Sequence, residues 1–152
     1  MHDHCSMKNN FEKTGVIRIL LAIPHFRAER ESVRKQVSVI VAKYVPQIQS
    51  GLKDYVDLWR KADEKYYAIG RSGRFAIARE EFEKAEKKET AAWNNAHRLS
   101  AEMMEKISTI PHFDRYFSIS NPAKMSESFF EFGPCTKRAV SYCDNLIKVF
   151  GS

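Results

Sequence analysis

Ile69-Gly70-Arg71-Ser72-Gly73-Arg74-Phe75 separates two long stretches of helical patterning, and its reading decides the fold. Gly70 can adopt the left-handed conformation that closes a helix. Ser72 can cap the next one through its hydroxyl. A connection this short joins helices as antiparallel neighbours. A hairpin turning between Arg71 and Ser72 would set Phe82 opposite Lys61 or Ala62, and Trp93 opposite Ser50 or Gly51.

Upstream, Val33, Val37, Ile40, Tyr44, Ile48, Tyr55, Leu58, Ala62, Tyr66 and Ile69 recur at steps of three, four or seven. That spacing keeps side chains on one helix face. The intervening positions, among them Lys35, Lys43, Asp54, Lys61 and Glu64, form a solvated face. Pro46 lacks the backbone donor that a helix interior uses and clashes with the preceding turn. The stretch 28–69 therefore reads as one helix kinked near Pro46, or as two helices meeting between 46 and 51. Downstream, Phe75, Ala78, Phe82, Ala85, Ala92, Ala96, Leu99, Met103 and Ile107 make a second stripe over 74–107. At about 1.5 Å per residue that helix is roughly 50 Å long.

The flanks are less regular. Residues 1–13 read as a flexible tail, with 14–152 as a single helical domain. Residues 14–26 suit a short helix ending at Pro24. After Ile107 the chain becomes rich in phenylalanine and is punctuated by Pro111, Asn121-Pro122 and Gly133-Pro134. Pro122 and Pro134 fit the first turns of short helices near 122–131 and 134–149. The last helix is expected to bury Ala139, Val140, Cys143, Leu146, Ile147 and Phe150. Ile23-Pro24-His25-Phe26 recurs as Ile110-Pro111-His112-Phe113, but the flanks of the two copies differ, so chance punctuation explains the match. The fold class is all-α: a long antiparallel helical hairpin with shorter N- and C-terminal helices packed on it.

A chain of 152 residues is long enough to bury its own core without a metal or disulfide staple. Its 25 Lys and Arg against 19 Asp and Glu give a net charge of +6. The excess is spread as +3 over residues 1–35, +2 over 36–73, 0 over 74–107 and +1 over 108–152, with no block of like charge. Cys5, Cys135 and Cys143 show no CxxC or framework spacing, which points to reduced thiols and a cytoplasmic protein. No apolar run approaches the roughly 18–20 residues that would span a bilayer, so no membrane partner is expected.

Motifs for chemistry are sparse. Ile69-Gly70-Arg71-Ser72-Gly73 resembles the I-G-x-x-G signature of KH domains, whose glycines let the backbone approach nucleic-acid phosphates. The flanking residues carry helical patterning where a KH domain has strands, so a helix–helix turn is the expectation. His2-Asp3-His4-Cys5 holds metal-ligand types within four residues of a chain end, too exposed for a structural site. No Glu is followed by His three residues later, as a di-iron bundle centre uses. No G-x-S-x-G elbow, Walker A loop or dinucleotide fingerprint occurs. His97 and the pair His112 and Asp114 lack an evident nucleophile beside them. No catalytic residue, metal or cofactor is expected.

Two functions fit these residues. The first is a non-enzymatic protein-interaction module (an adaptor, inhibitor or regulatory subunit) acting through helix-face burial on an unidentified protein partner, and also forming a homodimer. Phe129, Phe130 and Phe132 are its interface candidates, since large aromatics concentrate at interface centres. The second is a basic nucleic-acid-binding protein. Arg27, Arg30 and Arg34 share a helix face and would join Arg71 and Arg74 of the hairpin tip against phosphates.

Overall fold

The computed structural model describes residues 16–71, 73–117 and 137–151. Five helices follow one another among them: α1 (Val16–Leu20), α2 (Pro24–Ile69), α3 (Phe75–Ser108), α4 (Phe113–Tyr116) and α5 (Lys137–Phe150). The all-α hairpin is the architecture: α2 and α3 pack along each other, and α5 lies against α2.

Pro24 opens α2 instead of closing the short helix before it. At the first helical position its missing N–H is one no helix would have paired, and its fixed φ suits the turn. The long helix therefore starts at residue 24, not 28. It runs through Pro46 without a break, so of the two readings of 28–69 the single helix is correct. At about 1.5 Å per residue its 46 residues span close to 70 Å. Gly70 is right-handed (φ −70°), not left-handed; the turn closes by Arg71 N–H donating to the Ala68 carbonyl. Arg74 takes the N-cap position of α3 without a side-chain cap, and Ser72 lies outside the described residues.

The helix register also differs from the expected one. Phe82 meets Tyr66 edge-on at 5.6 Å between ring centroids, a turn beyond Ala62. A Cβ built on Gly51 would sit 3.3 Å from the Cβ of Ala96, so Gly51 faces Ala96 where Trp93 was expected. Two small residues meeting at this level bring the helices close together. Trp93 packs at the edge of the core and stacks on His97.

The core is one cluster at the end of the hairpin away from the turn. It runs from Val33 to Leu52 on α2 and from Ala96 to Ile107 on α3. Ile110, Phe113, Tyr116 and Phe117 close the end, and α5 covers the side with Ala139, Tyr142, Cys143, Leu146 and Phe150. The Phe150 ring meets Phe117 edge-on at 5.0 Å, and the Tyr142 hydroxyl donates to the Met104 sulfur at 3.2 Å. The buried face of α5 is turned from the expected one. Tyr142 is inside, while Val140 and Ile147 are exposed. Phe113 and Phe150 thus belong to the core. Phe129, Phe130, Phe132, Cys5, Cys135, His2, His4, the 1–13 tail and the 122–131 helix lie outside the described residues.

Candidate interaction surface on the hairpin arm

The cluster ends at Leu52 and Ala96, yet α2 continues for 17 more residues, about 25 Å. This arm is two helices and a turn with no third element over it among the described residues. Its interior is thin: Tyr55, Ala62 and Ala78 are buried, while Leu58, Phe82 and Ala85 are half-buried. Glu89 lies half-buried along the same seam. Burial, with the nearby Glu86 charge, raises its carboxyl pKa. Burial and the Glu89 charge push the Tyr55 hydroxyl up to about 12. An acid whose folded pKa is raised costs stability when ionised, so Glu89 weakens the arm at neutral pH.

Toward the turn the apolar side chains emerge into solvent. Tyr66 is 58 % exposed, Tyr67 59 %, Phe75 57 % and Ile77 51 %. Scattered exposed apolar residues need no explanation, but four over half exposed within twelve positions concentrate apolar surface at the free end of the arm. The exposed Arg71 and Arg74 flank it. Tyrosine, phenylalanine and arginine are the residue types enriched in protein interfaces.

Beside these side chains, one outer face of the arm carries a shallow groove made of two adjoining depressions that share Leu58 and Lys61. The depression nearer the core is lined by Gly51, Asp54, Asp57 and Asn95, and the one nearer the turn by Lys65, Glu81, Lys84 and Lys88. Lys65 pairs with Glu81 across the helices, and Lys84 with Glu80, each at 3.3 Å.

The arginines expected to form one basic surface fall into two groups. Arg27, Arg30 and Arg34 sit near the start of α2, about 60 Å along the helix from Arg71 and Arg74. Two of the first group are engaged: Arg34 donates to both Glu31 oxygens, and Arg30 stacks over the Phe117 ring at 5.2 Å.

Sequence reading missed a polar cluster at the closed end. The segments that follow the two Ile-Pro-His-Phe copies meet there. Glu29, one turn after the first copy, accepts hydrogen bonds from the Tyr116 hydroxyl at 2.7 Å and from Arg115, just after the second. Arg115 also lies over the Phe26 ring, and His25 approaches Glu29 at 3.6 Å. His112 holds a left-handed backbone, φ 63°, as it turns this segment toward α2. The repeated tetrapeptide was the available signal, although nothing in it specified that the residues after the two copies would meet. The Tyr116 hydrogen bond, with Arg115 and His112 nearby, lowers the Glu29 pKa. A depressed carboxyl pKa stabilises the fold above the unfolded value and loses that contribution as pH falls. Glu29→Gln should therefore lower the urea midpoint at pH 7, and its difference from wild type should shrink as the pH drops below 4.5, measured by circular dichroism.

Cys143 is a buried free thiol whose pKa burial pushes up to about 12, so it packs as an apolar side chain and is a poor nucleophile. Among the described residues, no group of three His, Cys, Asp or Glu side chains is placed to hold a metal ion. Among the same residues, no helix is long and apolar enough to cross a membrane. No protein-family model, curated protein or solved structure matches the chain.

Proposed function

We propose that this chain is a non-enzymatic protein-interaction module, with the base of the hairpin as a rigid platform and the arm as its docking element. The observation that carries this reading is where the core stops. A fold that needed the arm only for its own stability would cover it, whereas here Tyr66, Tyr67, Phe75 and Ile77 gather at its free end, more than half exposed. Fully burying a large apolar side chain is worth about 1.5–3 kcal/mol, and a partner docking here would gain the half or more of it that is still exposed. An adaptor, an inhibitor or a regulatory subunit each works in this way. A reduced, buried Cys143 suits a cytoplasmic protein.

A second reading draws on the same tip. Exposed arginines interleaved with exposed aromatics are also what a single-stranded nucleic acid stacks on. Against it stands the spread of the positive charge, since Arg27, Arg30 and Arg34 lie about 60 Å along the helix from Arg71 and Arg74 and form no single basic surface with them. One experiment separates the readings: affinity capture with the tagged chain, with and without nuclease, beside a Tyr67→Ser/Phe75→Ser variant. Both substituted side chains are exposed, so the variant should fold. The expected result is a captured protein that survives nuclease and is lost with the variant. Capture abolished by nuclease, or binding that falls steeply with salt as counterion release demands, favours nucleic acid instead.

A further inference from the structure

We infer that Glu89 is a pH-sensitive latch in the arm: charged, it holds the seam between α2 and α3 open to water, and protonated, it lets the seam close. The inference stands on the arm's own packing and goes beyond the docking reading, since it holds whatever the arm binds. Its basis is position. Ala78, Phe82, Ala85, Glu89, Ala92 and Ala96 follow one another on α3 at alternating steps of four and three, which makes them one row along the helix. All six are buried or half-buried, and Glu89 is the one charged member. Among the described residues no hydrogen bond or ion pair reaches its carboxylate. From α2 the group that senses its charge is Tyr55, buried and neutral, with a hydroxyl pKa pushed up to about 12. From α3 it is Glu86, of like sign. Lys61 and Lys88 line the outer groove, and neither is paired with Glu89 or Glu86 among the described residues. Asp63 is the arm's other half-buried carboxylate and sits on α2 beside Ala62.

Taking an ionised carboxylate out of water is costly unless a partner replaces the lost hydration. Ala85 and Ala92, one turn to either side, bury too little surface to hold the helices together around it. No third element covers the seam here among the described residues, so parting α2 from α3 is the cheapest way to hydrate the charge. The parting is confined to the arm, because Ala96, close against Gly51, already belongs to the packed core. Burial, and next the Glu86 charge, raise the Glu89 pKa above 4.5. Above 4.5 the folded chain therefore holds more of this proton than the unfolded chain does, and the arm loses stability as pH rises through the folded value. Glu29 has the opposite sign, since its folded pKa is lowered. Mild acid thus tightens the arm while it begins to loosen the closed end, two responses that a global unfolding curve would blend.

The test is therefore local: amide hydrogen exchange of the full chain by mass spectrometry, at pH 7 and at pH 4.5. At the lower pH Glu89 is mostly protonated and Glu29 still mostly ionised. Each rate is divided by the intrinsic rate of an unfolded chain at that pH. In wild type, peptides from 53–69 and 75–92 should be at least about 3-fold better protected at pH 4.5 than at pH 7. Glu89→Gln, neutral at both, should show the acid level of protection already at pH 7 and no pH response. Asp63→Asn and Glu86→Gln should keep the response, since each leaves the Glu89 carboxyl in the seam. A wild-type arm equally protected at both pH values overturns the inference. So does a response that survives Glu89→Gln, or one that vanishes only with Asp63→Asn. Loss of helix by circular dichroism in Glu89→Gln would also overturn it, because a neutral side chain at this position should tighten the arm.

Discussion

Phe150→Ala should lower the free energy of unfolding by about 3–5 kcal/mol, the range for emptying a fully buried aromatic site. The ring is completely buried at the end of α5 and meets Phe117 edge-on, so its loss opens a cavity between the last helix and the segment that closes the hairpin. Neither neighbour can easily collapse into the space. Phe117 is held from its other side by Phe113 and by the Arg30 guanidinium, and Leu146 one turn earlier is already fully buried. The same change at Phe75, on the exposed arm, should cost less than about 1 kcal/mol. Urea unfolding followed by circular dichroism measures both. Equal effects at the two positions would mean that the arm is part of the cooperative core.

Pro46→Ala should act in the opposite direction and stabilise the protein by about 2 kcal/mol. A proline in a helix interior is roughly 3 kcal/mol less favourable than alanine. Part of that is returned because alanine leaves the unfolded chain freer by about 0.4–1 kcal/mol. Pro46 is exposed, so trimming the ring opens no cavity, and the new N–H can bond to the carbonyl of Ala42, which now lacks its helical donor. A rise in both the urea midpoint and the thermal midpoint is the expected reading. No change would mean that α2 has adjusted its turns around the proline and that the Ala42 carbonyl is already satisfied.

The hairpin was legible because its signals are local. Apolar steps of three and four residues between Val33 and Ile69, and between Phe75 and Ile107, report one buried face each, and only Gly70 to Gly73 could turn the chain between them. What failed to read through depended on distant partners. The helix pairing is fixed by which small residues meet, and Gly51 against Ala96 is a match between elements that neither stripe encodes. On α5 the one-face pattern put Val140 inside and left Tyr142 out, and the structure has the reverse. The outcome turned on Met104, which offers Tyr142 a hydrogen-bond acceptor inside the core. The Glu29 cluster joins residues 87 positions apart, each just after a copy of a tetrapeptide whose repetition looked accidental. The arm was half visible. Its apolar stripe continues unchanged past Tyr55, so the pattern implied a core along the full length. Only the position of α5, beside Val41, Val45 and Pro46, shows that among the described residues the third layer stops short.

That stopping point divides a single continuous helix into stretches of very different local stability. Backbone bonds between Val41 and Ile48 can break only if the whole cluster comes apart, whereas those beyond Tyr55 need only the arm's own thin seam to open. Fraying from the turn inward is thus a low-energy excursion that leaves the platform folded, and slowly exchanging amide protons should be confined to the closed end. Anything that clamps the arm acts against this excursion. Part of its binding energy then goes into ordering the arm, which tends to make the attachment reversible.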